Sequence, residues 1–501
     1  MIFGRGTRNR RRRPVDRWQS WGSGGPFFRG NRRRSGARLT RLGRLSLGIA
    51  IVLAAVLGWQ VQAAWRAWRG ADSPALASIS AGPPTTLRDV DLRLDPPLSR
   101  ERFGFAQTRA AEIDPSAVPR LVEWVDAAGR TRSGGDSTDS EDAFRVEYSF
   151  DAELTGEVFE ILRRGRVDRG HAIVLDPRTG RLLAYVSTDR DAFPPEKAYP
   201  AASIVKVLTA AAMLEEPGGE DDASCVYRGN KYRLNRRRLE RPKSGRESTL
   251  EDALATSNNQ CFSQWALHVL GEEKLEKTFE RFGWLSPAAP GHEAGRIDHV
   301  ETKLDLGRLG SGLHGVRVTP LHVASLTSIL TGGMWIEPWW VDRVLDPRGR
   351  SLELPAHSPA RRVLSRERAA QLRSMMVATT KRGTAKSAFR TRRGRPLLGN
   401  IEVAGKTGNL TGRDPYGRYE WFVGLAPADD PRIAVVVLQL QSNLWWSKSS
   451  ELAARVLKTV FCDRAGCRPE RADRYTGDLG NLVAPLLISD LERPLRVSRA
   501  E

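Results

Sequence analysis

Two side chains that could perform nucleophilic catalysis lie three residues apart in an apolar segment of this 501-residue chain. Ser203 and Lys206 belong to the run 203–214, whose composition predicts a buried helix. The i, i+3 spacing places both side chains on one helix face. A serine hydroxyl becomes a strong nucleophile when a neighbouring amine of lowered pKa accepts its proton. For this pair alone, a lysine whose ammonium group reaches solvent is the ordinary alternative.

A second polar pair follows in the next predicted helical segment, 250–270. Ser257 could relay a proton to a leaving amine, and the Asn259 amide could hold a substrate carbonyl. Serine and asparagine are also common at helix caps and turns, which is the structural alternative here.

A third group, Lys406-Thr407-Gly408, follows the strand-like run 401–405. A cation and a hydroxyl on a strand edge can hold a carboxylate, and the glycine lets a substrate backbone approach closely. Taken alone, this tripeptide is also typical of a surface turn.

The three groups in the order S-x-x-K, S-x-N and K-T-G are far more specific than any one of them. In this order the chain resembles the penicillin-binding transpeptidase family over roughly residues 148–462. Further similarity lies in five segments, at 171–187, 315–324, 331–333, 382–385 and 421–427.

The resemblance implies a serine acyl-enzyme with no cofactor and no metal. Its catalytic group would be Ser203 as nucleophile, Lys206 as base, and Ser257 and Asn259 in proton relay and substrate binding. Its substrate-binding group would be Lys406, Thr407, Gly408 and Asn409. In the family, the oxyanion hole is formed by backbone N–H groups, which fall here on Ser203 and Asn409.

Two positions depart from the family pattern. Asn409 stands where the family usually carries threonine or serine, so a hydroxyl ligand for the substrate carboxylate is lost while the backbone N–H remains. Ala201-Ala202 precedes the nucleophile where Pro-Gly is common. Substrate preference and β-lactam affinity are therefore expected to differ from the family norm.

The elements around these groups predict an α+β fold. Two short apolar runs, 172–175 and 182–186, flank turn residues and predict a β-hairpin. Helical segments fill the middle of the chain, and the run 433–440 predicts a buried strand before a last helix at 451–460. Together with the resemblance, this predicts an α/β sandwich of penicillin-binding/β-lactamase type, with an antiparallel sheet, flanking helices and an all-helical subdomain.

The N-terminal region predicts a membrane anchor. Residues 1–44 contain 14 arginines, one acidic residue and no lysine, so much of the net charge of +20 lies in this tail and not on a nucleic-acid-binding groove. Residues 45–65 carry no charge and are long enough to cross a bilayer. The positive-inside rule then puts the tail in the cytoplasm and the rest of the chain outside a bacterial cytoplasmic membrane. A cleaved signal peptide is the alternative.

These patterns predict five regions. They are a cytoplasmic tail at 1–44, a transmembrane helix at 45–68, a linker and small pedestal at 69–147, the transpeptidase domain at 148–465 and a C-terminal extension at 466–501. The pedestal is too short for a glycosyltransferase domain, which predicts a monofunctional enzyme.

Four cysteines follow the anchor, at positions 225, 261, 462 and 467. In an oxidising compartment an even number permits two disulfides, with 462–467 and 225–261 as the expected pairs. Free buried thiols are the alternative.

The expected activity is that of a peptidoglycan D,D-transpeptidase that acts on stem peptides, binds β-lactam antibiotics and works with cell-wall synthesis partners at the membrane. A D,D-carboxypeptidase would use water as acceptor. A β-lactamase is a second alternative, because Glu301 to Asp305 resembles a class A element, although asparagine is expected at the last position. A non-catalytic sensor of β-lactam or peptidoglycan is the third.

Overall fold

A computed structural model describes residues 143–217, 223–441 and 446–477, together with four short strands between Thr85 and Arg132. The predicted tail, the predicted anchor at 45–68 and residues 478–501 lie outside the described residues. Within the described residues, no helix has the length and apolar character needed to cross a membrane.

The elements are numbered in chain order. The α-helices are α1 Ala152–Arg164, α2 Val205–Leu214, α3 Leu250–Ala255, α4 Asn259–Trp265, α5 Gly271–Arg281, α6 Lys303–Ser311, α7 Pro320–Gly332, α8 Arg366–Lys381, α9 Ser449–Phe461 and α10 Asp473–Thr476. The strands are β1 Thr85–Thr86, β2 Gln107–Arg109, β3 Arg120–Val125, β4 Thr131–Arg132, β5 Phe144–Asp151, β6 Arg169–Leu175, β7 Leu182–Ser187, β8 Tyr199–Pro200, β9 Ser224–Tyr227, β10 Arg246–Thr249, β11 Arg296–Ile297, β12 Val316–Val318, β13 Met334–Trp335, β14 Val341–Leu345, β15 Leu352–Glu353, β16 Arg361–Arg362, β17 Ala404–Arg413, β18 Tyr416–Ala426, β19 Ile433–Gln441, β20 Cys462–Asp463 and β21 Gly466–Cys467.

The main sheet has five antiparallel strands in the order β17-β18-β19-β6-β7. The predicted hairpin at 172–186 is confirmed as β6 and β7, and the predicted buried strand at 433–440 is confirmed as β19. Early and late parts of the chain therefore meet in one sheet, with β17 at its edge.

Helices cover both faces of this sheet because its strands are apolar on both sides. On one face, Val435 and Phe422 pack in a core shared with Leu452 of α9 and Val158 of α1. On the other face, Val436 packs in a core shared with α2 and the other helices of the chain's middle part. The predicted α+β arrangement, an antiparallel sheet with flanking helices, is confirmed.

A second antiparallel sheet joins the predicted pedestal to the predicted domain. Its order is β14-β5-β3-β2, with β4 paired to β3. Strand β5, Phe144–Asp151, crosses the predicted boundary at residue 148 and pairs with β14 from much later in the chain.

Two expectations about secondary structure were wrong. The segment 250–270 is not one helix: α3 ends at Ala255, Ser257 adopts a left-handed conformation with φ 54°, and α4 begins at Asn259. The polar stretch after residue 405 is not a loop, because it forms the long hairpin β17–β18. The K-T-G motif accordingly lies near the start of a strand and not at its end.

The two expected disulfides are both present. Cys225 of β9 is bonded to Cys261 of α4, and Cys462 is bonded to Cys467. The first bond ties α4, which begins at Asn259, to the neighbouring two-stranded sheet of β9 and β10.

Candidate active site

Ser203 and Lys206 lie at the entrance to α2. A 3-10 turn, Ala202–Ile204, leads into the helix, and Ala202 has an unusual left-handed φ of 49°. Lys206 has no exposed surface, and its Nζ lies 2.8 Å from Ser203 Oγ. The same Nζ donates a hydrogen bond to the carbonyl of Ser311. The predicted contact between the two side chains is therefore present.

The electrostatics favour a neutral amine at Lys206. Burial lowers its pKa well below the ordinary value of 10.5, and the nearby positive charge of Lys406 lowers it further. A neutral amine that donates one N–H to Ser311 can direct its lone pair at the serine hydroxyl. This arrangement suits proton abstraction from Ser203.

The turn that carries Ser203 is anchored to the sheet. Trp421 Nε1 donates to the Pro200 carbonyl at 2.8 Å, and the Ala201 N–H donates to the Val316 carbonyl at 2.8 Å. Gly408 brings β17 close to the same turn, since a Cβ there would lie 3.2 Å from the Ile204 side chain. Strand β17 and the turn thus form the two sides of one site.

The break between α3 and α4 places Ser257 and Asn259. Ser257 Oγ accepts a hydrogen bond from Lys406 Nζ at 3.2 Å, across 149 residues of sequence. Asn259 Nδ2 donates to the carbonyl of Tyr232 at 2.8 Å. The neighbouring Asn258 caps α4, which matches the capping alternative for one residue of this motif.

Lys406 is a second buried amine. It has no exposed surface, and burial lowers its pKa to about 7. Besides Ser257, its Nζ contacts the Thr407 carbonyl at 2.8 Å. Thr407 Oγ1 in turn lies 2.6 Å from Thr384 Oγ1, so the K-T-G strand is linked to the residues that follow α8.

Asn409 is exposed, and its side chain is hydrogen-bonded. Its Oδ1 accepts a hydrogen bond from Arg418 Nε at 2.8 Å across the β17–β18 hairpin. The amide that replaces the family's hydroxyl is therefore paired with a cation.

One cleft of about 520 Å³ joins these groups. Six of the eight predicted residues line it: Ser203, Ser257, Asn259, Thr407, Gly408 and Asn409. The other two, Lys206 and Lys406, have no exposed surface and lie buried behind the cleft wall. The sequence interpretation missed seven other lining residues: Tyr232, Leu313, Thr384, Arg418, Glu420, Lys448 and Ser450. Of these seven, only Thr384 was indicated by the sequence, since it belongs to the segment 382–385 that resembles the family.

The element that suggested a β-lactamase does not reach this cleft. Glu301 is exposed and is absent from the cleft lining. Thr302 caps α6. The Asp305 carboxylate accepts a hydrogen bond from the Thr302 hydroxyl, and the Asp305 backbone N–H donates one to Thr302 Oγ1. The segment is therefore a helix start.

Comparison with known proteins gives consistent results. Residues 170–461 match the family described as penicillin binding protein transpeptidase domain. Peptidoglycan D,D-transpeptidase PbpA of Mycobacterium tuberculosis is 26% identical over 311 residues, which cover 54% of this chain and 61% of the relative. Stage V sporulation protein D of Bacillus subtilis is 24% identical over 64% of this chain and 54% of the relative. The chain thus spans roughly three-fifths or less of these curated relatives.

Solved structures share the fold. Penicillin-binding protein A from M. tuberculosis, as an imipenem acyl-enzyme complex, has a TM-score of 0.54 and 19% identity, covering 71% of this chain and 95% of that one. The D,D-transpeptidase domain of a peptidoglycan glycosyltransferase from Eggerthella lenta has a TM-score of 0.53 and 20% identity, covering 65% and 84%. Because the family match extends over more than half of the chain, this protein belongs to the penicillin-binding protein transpeptidase family.

Proposed function

We propose that this protein is a peptidoglycan D,D-transpeptidase that works through a serine acyl-enzyme. One observation carries the proposal: the buried amine of Lys206 lies 2.8 Å from Ser203 Oγ, and Ser203 lines one cleft together with Ser257 and Thr407. The relatives named D,D-transpeptidase support the substrate class.

In the acylation step, Ser203 Oγ attacks the carbonyl carbon of the penultimate D-Ala while Lys206 Nζ takes the hydroxyl proton. An ester bond to Ser203 forms and the D-Ala–D-Ala peptide bond breaks. The proton passes by way of the Ser257 hydroxyl to the leaving amine, so that D-Ala departs as a neutral amine. An amine from a second stem peptide then attacks the ester carbonyl carbon, so that a new peptide bond forms and the ester bond to Ser203 breaks. The proton lost by this amine passes through Lys206 to Ser203 Oγ and restores the serine hydroxyl.

The remaining residues bind and polarise the substrate. The backbone N–H groups of Ser203 and Asn409 would stabilise the oxyanion of the tetrahedral intermediate. Lys406, Thr407 and Gly408 would hold the terminal carboxylate end of the substrate, and Asn259 would position its peptide. β-Lactams would acylate Ser203 by the same route.

Labelling with a fluorescent penicillin tests the nucleophile and the base. We expect Ser203→Ala to abolish covalent label and Lys206→Met to slow acylation by about 10³-fold. Exposed Ser351 offers the matched control, and Ser351→Ala should label like the wild type. Label that persists on Ser203→Ala, with Ser351→Ala unchanged, would assign the nucleophile elsewhere.

A second assay separates the transferase from its alternatives. The protein is supplied with a D-Ala-D-Ala peptide and an amine acceptor, and cross-linked and hydrolysed products are counted. Dominant transfer supports the transpeptidase, whereas hydrolysis that is insensitive to acceptor indicates a carboxypeptidase. Rapid turnover of a chromogenic cephalosporin would indicate a β-lactamase. If no acylation occurs at all, the non-catalytic sensor of β-lactam or peptidoglycan is the remaining alternative.

We also propose that residues 45–68 cross the cytoplasmic membrane and leave the region from 148 to 465 outside it as the transpeptidase domain. The arginine-rich tail supports this orientation. A periplasmic reporter fused after residue 80 should be active. Activity of a cytoplasmic reporter at that position would overturn the topology.

A further inference from the structure

Arg418 is a cation of the cleft wall that the family motifs do not include. It lies on β18, where Thr411 is its direct neighbour on β17 and Asn409 is directly opposite Glu420. Diagonal neighbours in an antiparallel pair are within reach of a long side chain. Arg418 uses this reach, since its Nε donates to Asn409 Oδ1 at 2.8 Å while the residue lines the cleft.

This contact orients the guanidinium. Arginine carries five N–H donors in a planar fork, and fixing Nε fixes the plane of the other donors as well. A planar fork matches the two oxygens of a carboxylate. Compared with the family's threonine or serine, Asn409 lacks a hydroxyl ligand. Its amide instead holds the Arg418 guanidinium, a group that can bind a carboxylate, beside the K-T-G strand.

Lys406 supplies only part of the positive charge that a carboxylate would meet in this cleft. Lys406 has no exposed surface, and its Nζ is engaged with Ser257 and the Thr407 carbonyl. With a pKa of about 7, Lys406 is only partly charged at neutral pH. Arginine stays charged in proteins even where burial lowers its pKa, as it does for Arg418.

We infer that Arg418 is a specificity-determining residue that binds the terminal carboxylate of the acyl donor, with Asn409 as its positioning residue. The inference rests on the proposed function, because it assigns the carboxylate end of the same cleft. Lys448 is the other cation among the lining residues. It lies beside the start of α9 and not on the hairpin of Asn409.

The test compares two probes that differ only at the carboxylate: a fluorescent penicillin and its methyl ester. The measured quantity is the ratio of their second-order acylation rate constants, acid over ester. We expect Arg418→Gln to lower this ratio by about 10- to 100-fold, through slower reaction of the acid alone. Arg413→Gln is the matched control, because Arg413 is an exposed cation of the same hairpin that does not line the cleft, and it should leave the ratio at the wild-type value.

The outcomes separate this inference from the proposed function. If wild type is acylated at Ser203 but Arg418→Gln leaves the ratio unchanged, or slows acid and ester equally, the inference is overturned and the proposed function stands. If wild type is not acylated by either probe, the proposed function itself fails. Asn409→Ala provides a second variant should Arg418→Gln not fold, and it should lower the ratio in the same direction.

Discussion

A Cβ atom on Gly312 would lie 2.0 Å from the carbonyl oxygen of Ala202, the residue that precedes Ser203. It would also lie 3.2 Å from the Ser203 nitrogen, whose N–H is the proposed oxyanion-hole donor. Gly312 follows α6 with a left-handed φ of 72°, so the end of that helix packs directly on the nucleophile turn. No side chain fits between the two backbones.

Gly312→Ala is therefore expected to displace the nucleophile turn and slow acylation by about 100-fold, because small misplacements in a site have effects of that size. The measurement is the second-order rate constant for penicillin labelling. Gly349→Ala is the matched control, since Gly349 has a φ of 77° but nothing within 4 Å of the added Cβ. Both variants carry similar backbone strain of about 1–2 kcal/mol, so equal acylation rates in the two would contradict the packing argument.

The local parts of the site could be predicted from the sequence, and its long-range parts could not. The Ser203–Lys206 contact follows from helical spacing alone. The contact of Ser257 with Lys406 spans 149 residues and was reached only through the resemblance to a family. No glycine or proline marks the break at Ser257, so periodicity predicted one helix there.

Arg418 and Asn409 show a different limit. Their segment is polar and contains several glycines, which is typical of a loop. It is a hairpin because β18 is paired on both sides, to β17 and to the apolar strand β19. Tertiary pairing overrides local preference in such a case. Because the sequence predicted a loop here, it gave no indication that Arg418 lines the cleft.

The pH dependence of acylation should have two limbs. Lys206 must be neutral to act as base, so the rate rises with pH through its lowered pKa. Lys406 loses its charge as pH rises through about 7, which weakens attraction for a carboxylate. The second-order rate constant for a fluorescent penicillin should therefore fall severalfold above pH 7.

The methyl ester of the same probe supplies the control for that falling limb. It carries no carboxylate, so its rate constant should keep its plateau above pH 7. A falling limb of equal size for acid and ester would show that the titration affects the chemical step or the fold, and not carboxylate binding.

His171 is expected to make the protein sensitive to acid. The residue is buried on β6, stacked on Phe193 with ring centroids 4.7 Å apart, and neither ring nitrogen has a hydrogen-bond partner among the described residues. Burial lowers its pKa to about 3. Between pH 6.5 and about 3 the unfolded chain binds a proton that the native state does not, so stability falls by up to about 1.4 kcal/mol per pH unit as pH decreases.

His171→Phe should keep the stacking and remove this contribution. We expect unchanged or greater stability at pH 7 and a smaller loss of stability from pH 6.5 to pH 4, measured by denaturant unfolding. His322 is the matched contrast: its ring nitrogens contact the Ser286 carbonyl at 2.7 Å and the Thr319 N–H at 3.1 Å. His322→Phe should be destabilising already at pH 7, and a similar loss in both variants would refute the assignment of His171.

The two disulfides should contribute unequally to stability. Cys225 and Cys261 are 36 residues apart, whereas Cys462 and Cys467 are 5 apart. Cross-links that close longer loops restrict the unfolded chain more, which gives about 4 kcal/mol for the first bond and about 2 kcal/mol for the second. Replacing each pair with alanine avoids burying a hydroxyl at Cys225 or Cys261, and denaturant unfolding measures the loss of unfolding free energy in both variants.

The Cys225–Cys261 bond should also affect acylation, because α4 begins at Asn259 and contains Cys261. The Cys225/Cys261 variant should label more slowly with penicillin at temperatures near its unfolding midpoint, while the Cys462/Cys467 variant should not. Equal losses of stability, or four free thiols in the oxidised wild-type protein, would be incompatible with this account.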